Sequence, residues 1–441
     1  MSELVFPRDR FAALASQMLS EKTESCAILL GTAVPKGGGH RVLINEVITP
    51  PGSAYEYKTE ISTQLKAEYV ATVVRDARQN ERSVTFVHSH PGDEQPHFSP
   101  IDDGGEELLA KFVTRRVPTQ PHFALVLNRG GCAARSLGTQ NAVSVIVVNS
   151  RIEVLYRATG SGNIEAHFDR QVRAFGASGQ ASIHGLTIGI VGLGGTGSAT
   201  AQQLAYLGAN RFILIDPDSV EATNLNRLVG ATQSDIGKAK VDVAARNIRS
   251  ISPEAHVDVM REDVLKTATA KRLIDADFIF CCTDSHGSRA VIGQLAYQYF
   301  IPCIDMGVSI VAKDSAVTHI TGRVQMLAPG LGCLTCASLL DSDAVRRDLM
   351  TEEQRRADPY FLGNGAPMPA VVSLNLTMSS LAVTMFLGAV TGIPSDARFQ
   401  IYDGVSGKMR VISESRDLQC IVCSDYGAAG RGNAWPLLGR P

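Results

Sequence analysis

The spacing of apolar and polar residues changes character part-way along the chain. Before residue 157 the apolar residues come in short runs: SCAILLG at 25–31, RVLINEVI at 41–48, SVTFVHSH at 83–90, FALVLN at 123–128 and VSVIVVN at 143–149. Runs of that length predict β-strands. Helical spacing predicts helices over 8–20, 65–79 and 101–115. After residue 167 the order becomes strand, glycine turn, helix, strand. LTIGIVG at 186–192 leads into a helix reaching about Gly208, and RFILIDPD follows at 211–218. Such alternation predicts parallel β-α-β units and a doubly wound, mostly parallel sheet. The stretch between, RATGSGNIEAH at 157–167, is small, polar and glycine-bearing, as linkers are. Two domains are expected, 1–157 and 168–441, joined by a linker over 158–167.

One segment tests whether the chain enters a membrane. No charged residue occurs from Phe361 to Ser395, and the middle reads VVSLNLTMSSLAVTMFLGAVTGI. That is long enough to span a bilayer. Ser373, Asn375, Thr377, Ser379, Ser380 and Thr384 interrupt it, and such groups suit a helix buried against protein better than one facing lipid. No membrane span is expected.

Composition narrows the class only a little. Of 441 residues, 44% are hydrophobic and 20% charged, which argues against a disordered chain. The net charge of −2 favours neither nucleic acid nor a membrane surface as partner. Nine cysteines is an odd number, and MSELVFPRDR lacks signal-peptide features. A cytoplasmic protein with reduced or metal-bound thiols is expected rather than a secreted disulfide framework.

Residues 86–103 read FVHSHPGDEQPHFSPIDD. His88 and His90 follow an apolar run, so they leave the end of a strand on one side. Asp102 opens the next helical pattern. Two imidazoles and a carboxylate form a three-ligand zinc set with a position open for water. His-Ser-His-Pro, a short loop and Ser-x-x-Asp together resemble the JAMM signature of JAB-domain metalloproteases. Glu24, ahead of the small-residue strand at 25–31, matches that family's upstream glutamate. The resemblance covers roughly residues 8–150. It implies a JAB-like, cytidine-deaminase-like α/β domain with His88, His90 and Asp102 as ligands of a catalytic zinc. It further implies Glu24 as general base on the attacking water and Ser99 as stabiliser of the oxyanion, with the C-terminal amide of a ubiquitin-like protein as substrate. Eight residues separate His90 from Ser99, one more than the family usually has; His97 lies among them.

Gly192, Gly194, Gly195 and Gly197 sit between a strand and a helix, where glycines permit close approach to phosphate. Alone they indicate a nucleotide or dinucleotide. Asp216 ends the next strand, where an acid can hold ribose hydroxyls. DPDSVEATNLNRLVG, DIGKAK and FIFCCTDSHGSR then follow, and FDRQVRAFGASGQ precedes at 168–180. This series resembles the Rossmann-like adenylation domain of the ThiF, MoeB and ubiquitin-activating enzymes over about residues 165–425. The resemblance implies that Asp216 holds the ATP ribose and that Asn224, Arg227 and Lys240 meet the triphosphate, with Lys238 assisting. It also implies that Asp284 binds magnesium and that Arg170 reaches the phosphates of a partner subunit, which makes a homodimer.

Cys333, Cys336, Cys420 and Cys423 form CxxC…CxxC, and four thiolates make a closed structural zinc site. The 83 residues between the pairs are unusual for a zinc ribbon and normal for the adenylating family. Ubiquitin-activating enzymes carry a thioester cysteine in the crossover region, yet residues 337–419 hold none. Three accounts stay open: adenylation alone, a serine such as Ser373, or one of Cys26, Cys132, Cys281, Cys282 and Cys303.

Taken together, the resemblances imply a JAB peptidase fused to an adenylyltransferase, both acting on one ubiquitin-like protein, with a conjugating enzyme or sulfurtransferase downstream. Such fusions resemble components of bacterial ubiquitin-like operons, antiviral ones included. The alternatives are activation of a sulfur carrier, with the first domain trimming it, and a first domain that only docks the partner.

Overall fold

The strand patterns resolve into two eight-stranded sheets in a computed structural model describing residues 1–158, 165–313, 316–357, 369–413 and 415–441. Of the expected linker, residues 159–164 lie outside the described residues. The chain divides into two compact units, one of residues 1–160 with 429–435, the other of 161–428 with 436–441.

The first unit contains β1 (Glu3–Pro7), β2 (Cys26–Lys36), β3 (Gly39–Ile48), β4 (Tyr55–Lys58), β5 (Thr63–Leu65), β6 (Ser83–Ser89), β7 (Phe123–Asn128), β8 (Gly131–Ser136), β9 (Ser144–Val148) and β10 (Ile152–Tyr156). Its helices are α1 (Arg8–Met18), α2 (Ala67–Gln79) and α3 (Pro100–Arg116). The main sheet runs β10-β9-β1-β3-β2-β6-β7-β8, and β4 and β5 form a separate hairpin. Side chains alternate along a strand, so β2 serves two cores. Ala27 and Leu29 join Leu14 and Met18 of α1 on one face. Ile28 and Leu30 join Val74 of α2 and Val113 of α3 on the other. The apolar pattern does not predict β1. Its five residues are too few to show a period, yet all are buried between β3 and β9.

The second unit contains α4 (Asp169–Gly185), β11 (Thr187–Val191), α5 (Gly195–Tyr206), β12 (Arg211–Ile215), α6 (Lys240–Ile251), β13 (His256–Met260), α7 (Thr267–Lys271), β14 (Phe278–Cys281), α8 (His286–Gln298), β15 (Cys303–Lys313), β16 (Ala316–Leu327), α9 (Ser342–Leu349), α10 (Glu352–Ala357), α11 (Val372–Val390), β17 (Phe399–Asp403) and β18 (Lys408–Val411). Its sheet runs β13-β12-β11-β14-β15-β16-β17-β18. β13 to β15 are parallel, as doubly wound units require; β16 to β18 are antiparallel additions, so the sheet is mixed. The strand order reverses at β11 and β14, and ligands of such sheets bind at the carboxyl ends of strands there.

α11 has the length and composition of a membrane span, but it packs on α5 and on β15 and β16. Phe386 sits against Phe278 and Phe280, with ring centroids 4.9 and 5.6 Å apart. Ser379 Oγ lies 2.8 Å from Thr200 Oγ1 and accepts from Gln203 Nε2 at 3.0 Å. The buried hydroxyl of Ser379 is therefore satisfied by protein.

The end of the chain departs from the expected boundary. Residues 429–435 belong to the first unit. Asn45 Nδ2 donates to the Gly430 carbonyl at 3.3 Å. Gly432 has φ of +49°, and a Cβ there would lie 2.9 Å from Thr32 and Val34. The contact needs both the absent side chain and the left-handed backbone. Residues 436–441 then rejoin the second unit, where Gln294 Nε2 donates to the Pro436 carbonyl at 2.8 Å.

Candidate functional site

In the first unit, antiparallel pairing sets Cys26 opposite His88. Ser89 locks the strand ends, because its Oγ accepts from the Ser25 N–H at 2.9 Å and its N–H donates to the Ser25 carbonyl at 2.9 Å. Glu24, one residue earlier, is thereby brought to His90, with Oε1 3.9 Å from Nε2. His88 follows Phe86 by two residues and so lies on the α2 and α3 side of the sheet.

The Ser-x-x-Asp pattern has a local structural cause. Ser99 is the N-cap of α3 and Pro100 follows it. Ser99 Oγ accepts from the Asp102 N–H at 3.3 Å, and Asp102 Oδ2 accepts from the Ser99 N–H at 2.6 Å. This capping box fixes the rotation of the Asp102 carboxylate. Its oxygens face His88 Nε2 at 3.2 Å and His90 Nε2 at 3.5 Å, and the two Nε2 atoms are 3.1 Å apart. Donors about 2.0–2.1 Å from a tetrahedral centre lie roughly 3.3 Å from one another, so the set fits zinc. Lone pairs this close repel unless a proton or a cation lies between them. His97 is exposed, with its Nδ1 3.3 Å from the Gln95 carbonyl and its ring edge-on to His90 at a centroid distance of 6.4 Å; the donors that converge are His88, His90 and Asp102.

The charges of these groups influence one another. Burial pushes the Asp102 carboxyl up, but hydrogen bonds from His88 and His90 outweigh it and hold the group well below the usual range. The hydrogen bond that His90 donates to Asp102 raises the imidazole. Burial raises Glu24 above an ordinary glutamate, against the pull of His90 and His88. A cavity of about 460 Å³ opens beside these groups. Glu24, His88, Ser99 and Asp102 form its polar side, and Tyr57, Ile61, Leu65, Phe86 and Phe112 are among its apolar lining.

In the second unit the glycine turn joins β11 to α5. Gly192 has φ of +85°, and a Cβ there would lie 2.8 Å from the Cys282 carbonyl. A Cβ at Gly197 would overlap the Gly192 carbonyl. Gly194 caps α5 with no side-chain oxygen, and Asn375 of α11 packs against Gly195. Asp216 is buried, and its Oδ2 accepts from the Leu193 N–H at 2.6 Å while Oδ1 accepts from the Asp218 N–H at 2.8 Å. Burial raises its pKa, with Lys240 opposing. Lys240 Nζ pairs with Asp218 at 2.7 Å.

Asn224 and Arg227 lie on the following turn, which the Val229 N–H ties to Ser198 Oγ of α5 at 3.0 Å. The Asn224 side chain accepts from the Glu221 N–H, and Arg227 donates to the Thr223 carbonyl at 2.8 Å. Asp284 is exposed in the loop after β14, two residues beyond Cys282. Arg170 is exposed in the first turn of α4. Lys238 is engaged elsewhere, because its Nζ pairs at 2.9 Å with the buried Asp235, which also binds Arg246. Sequence reasoning takes Asn375 only as helix packing; its signal is an amide in an otherwise apolar helix facing a glycine turn.

The four cysteines converge. Cys333 Sγ lies 3.6 Å from Cys336 and 3.6 Å from Cys420, and Cys336 Sγ lies 3.5 Å from Cys423. Sulfurs about 2.3 Å from a tetrahedral zinc are roughly 3.8 Å apart, so this set also fits. Cys132, Cys281 and Cys303 are buried, while Cys26 and Cys282 are partly exposed.

Residues 168–422 match the model of the ThiF family, more than half of the chain, and the protein belongs to that family. It is 30% identical over 184 residues to ubiquitin-like modifier-activating enzyme 5 of Drosophila persimilis, covering 39% of this chain and 46% of that one. It is 28% identical over 255 residues to adenylyltransferase and sulfurtransferase MOCS3 of Arabidopsis thaliana, covering 57% and 50%. Among solved structures, E. coli MccB with MccA-N7isoASN aligns at 21% identity and a TM-score of 0.48, covering 59% of this chain and 76% of that one. The chain spans about half the length of the curated relatives it matches.

Proposed function

We propose that this protein adenylates the C-terminal carboxylate of a ubiquitin-like protein and that its first unit cleaves an amide bond at the C-terminus of the same partner. For adenylation, the carrying observation is the buried Asp216 fastened to the glycine turn at the strand-order reversal, in a member of the ThiF family. Asp216 has lone pairs left for ribose hydroxyls after accepting its two backbone N–H groups. The partner's carboxylate oxygen attacks the α-phosphorus, a P–O bond forms, the α–β bond breaks, and pyrophosphate leaves. Two anions must meet, so Arg227 and Lys240 offset the charge repulsion. Magnesium is bound through one or two carboxylates plus substrate phosphates, and the exposed Asp284 offers such a carboxylate. Arg170, exposed on α4, is available to the site of a second copy in a homodimer.

For cleavage, the supporting geometry is the convergence of His88, His90 and Asp102 beside Glu24 and a cavity. A zinc ion held there supplies Lewis acidity that makes water nucleophilic near neutral pH. Glu24 would take the water's proton and deliver it to the leaving amine, since its carboxylate lies beside the donors. Ser99 Oγ accepts within its cap, which leaves its hydrogen free to donate to the oxyanion. The four cysteines would hold a second, structural zinc.

Conjugation in a bacterial ubiquitin-like pathway is the setting we favour. Sulfur-carrier activation is the second reading, supported by the absence of cysteine from 337–419 and by the likeness to a sulfurtransferase fusion. ATP–pyrophosphate exchange in the presence of a candidate ubiquitin-like partner tests adenylation. Asp216→Ala should lower exchange by at least about a hundredfold, since it removes a group both anchoring the turn and facing the ribose. Exchange that survives at wild-type rate refutes the nucleotide assignment.

A further inference from the structure

Arg135 lies on β8 among small residues and is itself buried, with 5% exposure. It turns toward the first two turns of α3. Its Nε and Nη2 meet the Glu106 carboxylate at 3.1 and 2.8 Å, and Nη2 also meets Asp103 Oδ1 at 2.7 Å. Nη1 donates to Gln140 Oε1 at 3.0 Å, and Gln140 Nε2 donates back to Asp103 at 3.3 Å. The guanidinium also lies over the Phe98 ring, with Cζ 3.9 Å from the centroid. Phe98 in turn meets the His88 ring edge-on at 6.0 Å.

These partners bracket the capping box. Phe98 immediately precedes Ser99, Asp103 immediately follows Asp102, and Glu106 stands one turn further. The box sets the rotation of the Asp102 carboxylate within α3. It does not set where that first turn stands relative to β6, which carries His88. Arg135 is placed to do so, because β8 pairs with β7 and β7 with β6, so the cation belongs to the same sheet as the histidine. A guanidinium can make this tie where an ammonium cannot, because its plane stacks on an aromatic ring while its fork grips carboxylates.

We propose that Arg135 is a positioning residue for the metal at His88, His90 and Asp102, holding the Phe98–Glu106 segment at the distance the third ligand requires. This rests on the metal reading of that cluster. Removing the charge would leave Glu106 buried and unpaired, so the informative change is Arg135→Lys, which keeps the charge and loses the fork and plane.

The experiment is zinc affinity of the full-length chain by chelator competition, with His88→Ala marking the contribution of the cysteine site. Arg135→Lys should weaken the first site by about 10–100-fold, the range for groups that orient metal ligands, and leave the cysteine site unchanged. Phe98→Leu, which removes the stacking partner of Arg135 and with it the edge contact to His88, should weaken it in the same direction by less. Arg41→Lys, at the buried Glu3 pair of the same unit, should lower stability and leave zinc affinity as it was. Wild-type affinity in Arg135→Lys overturns the proposal, as does an equal loss in Arg41→Lys. If Arg135→Lys does not fold, undiminished affinity in Phe98→Leu overturns it. A wild-type chain that binds zinc only at the cysteines overturns the metal reading instead, and the zinc count of that chain tells the two failures apart.

Discussion

The two donor clusters differ in number of ligands, access and neighbours. Cys333, Cys336, Cys420 and Cys423 are four donors, three of them buried, from two tight turns far apart in sequence. His88, His90 and Asp102 are three donors, all half-exposed, at the rim of a cavity with a carboxylic acid beside them. Four closed ligands leave a metal nothing to do but hold the chain together; three leave a position for a reacting molecule. Both sets contain spacings that fit zinc; what sets them apart, among the described residues, is the number of donors and the Glu24 carboxyl beside the smaller set.

The largest expected effect comes from the closed cluster. The Cys420→Ser, Cys423→Ser double variant should lose one zinc and several kcal/mol of stability, since a structural zinc is worth on the order of 10 kcal/mol in small domains. At about 2–4 °C per kcal/mol, the second unit's melting transition should fall by roughly 10 °C or more in calorimetry. An unchanged transition would make the four thiols ordinary core residues.

A smaller change separates chemistry from metal binding at the open cluster. Glu24→Gln should keep both zinc ions by elemental analysis, slow cleavage of a C-terminal amide substrate by about 10²–10⁴-fold, and leave ATP–pyrophosphate exchange intact. Loss of exchange as well would break the separation of roles between the two units.

The smallest effect concerns stability in the unit that holds the open cluster. Burial would raise the Glu3 carboxyl, but Arg41 and Lys36 win and lower it from 4.5 to about 2. A depressed carboxyl adds stability above its unfolded value and loses it as pH falls through the folded one. Glu3→Gln should therefore cost about 3 kcal/mol at neutral pH, and denaturant unfolding should show the difference shrinking from pH 4.5 toward 2. Zinc binding should not change. A difference that persists undiminished at pH 2 would show that Glu3 acts through packing instead of charge.

Legibility in the sequence follows the range of the interactions. His88 and His90 stand out because alternation places them at the end of β6, and Ser99 and Asp102 because a cap and a ligand share one local pattern. The glycine turn and Asp216 are visible for the same reason. Arg135 is not, because its partners are some thirty residues away and no periodicity marks a buried ion pair. The pairing of Lys238 with the buried Asp235 is likewise not visible in the sequence. The β15–β16 ribbon escapes notice because much of β16 is exposed and carries no apolar run. Residues 429–435 offer no signal, as what they cover lies on strands at the opposite end of the chain.

That last segment bears on how the molecule can be cut. The polypeptide passes between the two units three times, after residues 160, 428 and 435. A protease site engineered between residues 160 and 161 would yield two fragments on a denaturing gel, yet the larger would still carry a strip belonging to the smaller one's fold. Conversely, a fragment ending at residue 157 would lack the piece that seats Gly432 on Thr32 and Val34. To keep that contact, the first unit has to carry residues 429–435 as well, for example as a graft on a tether.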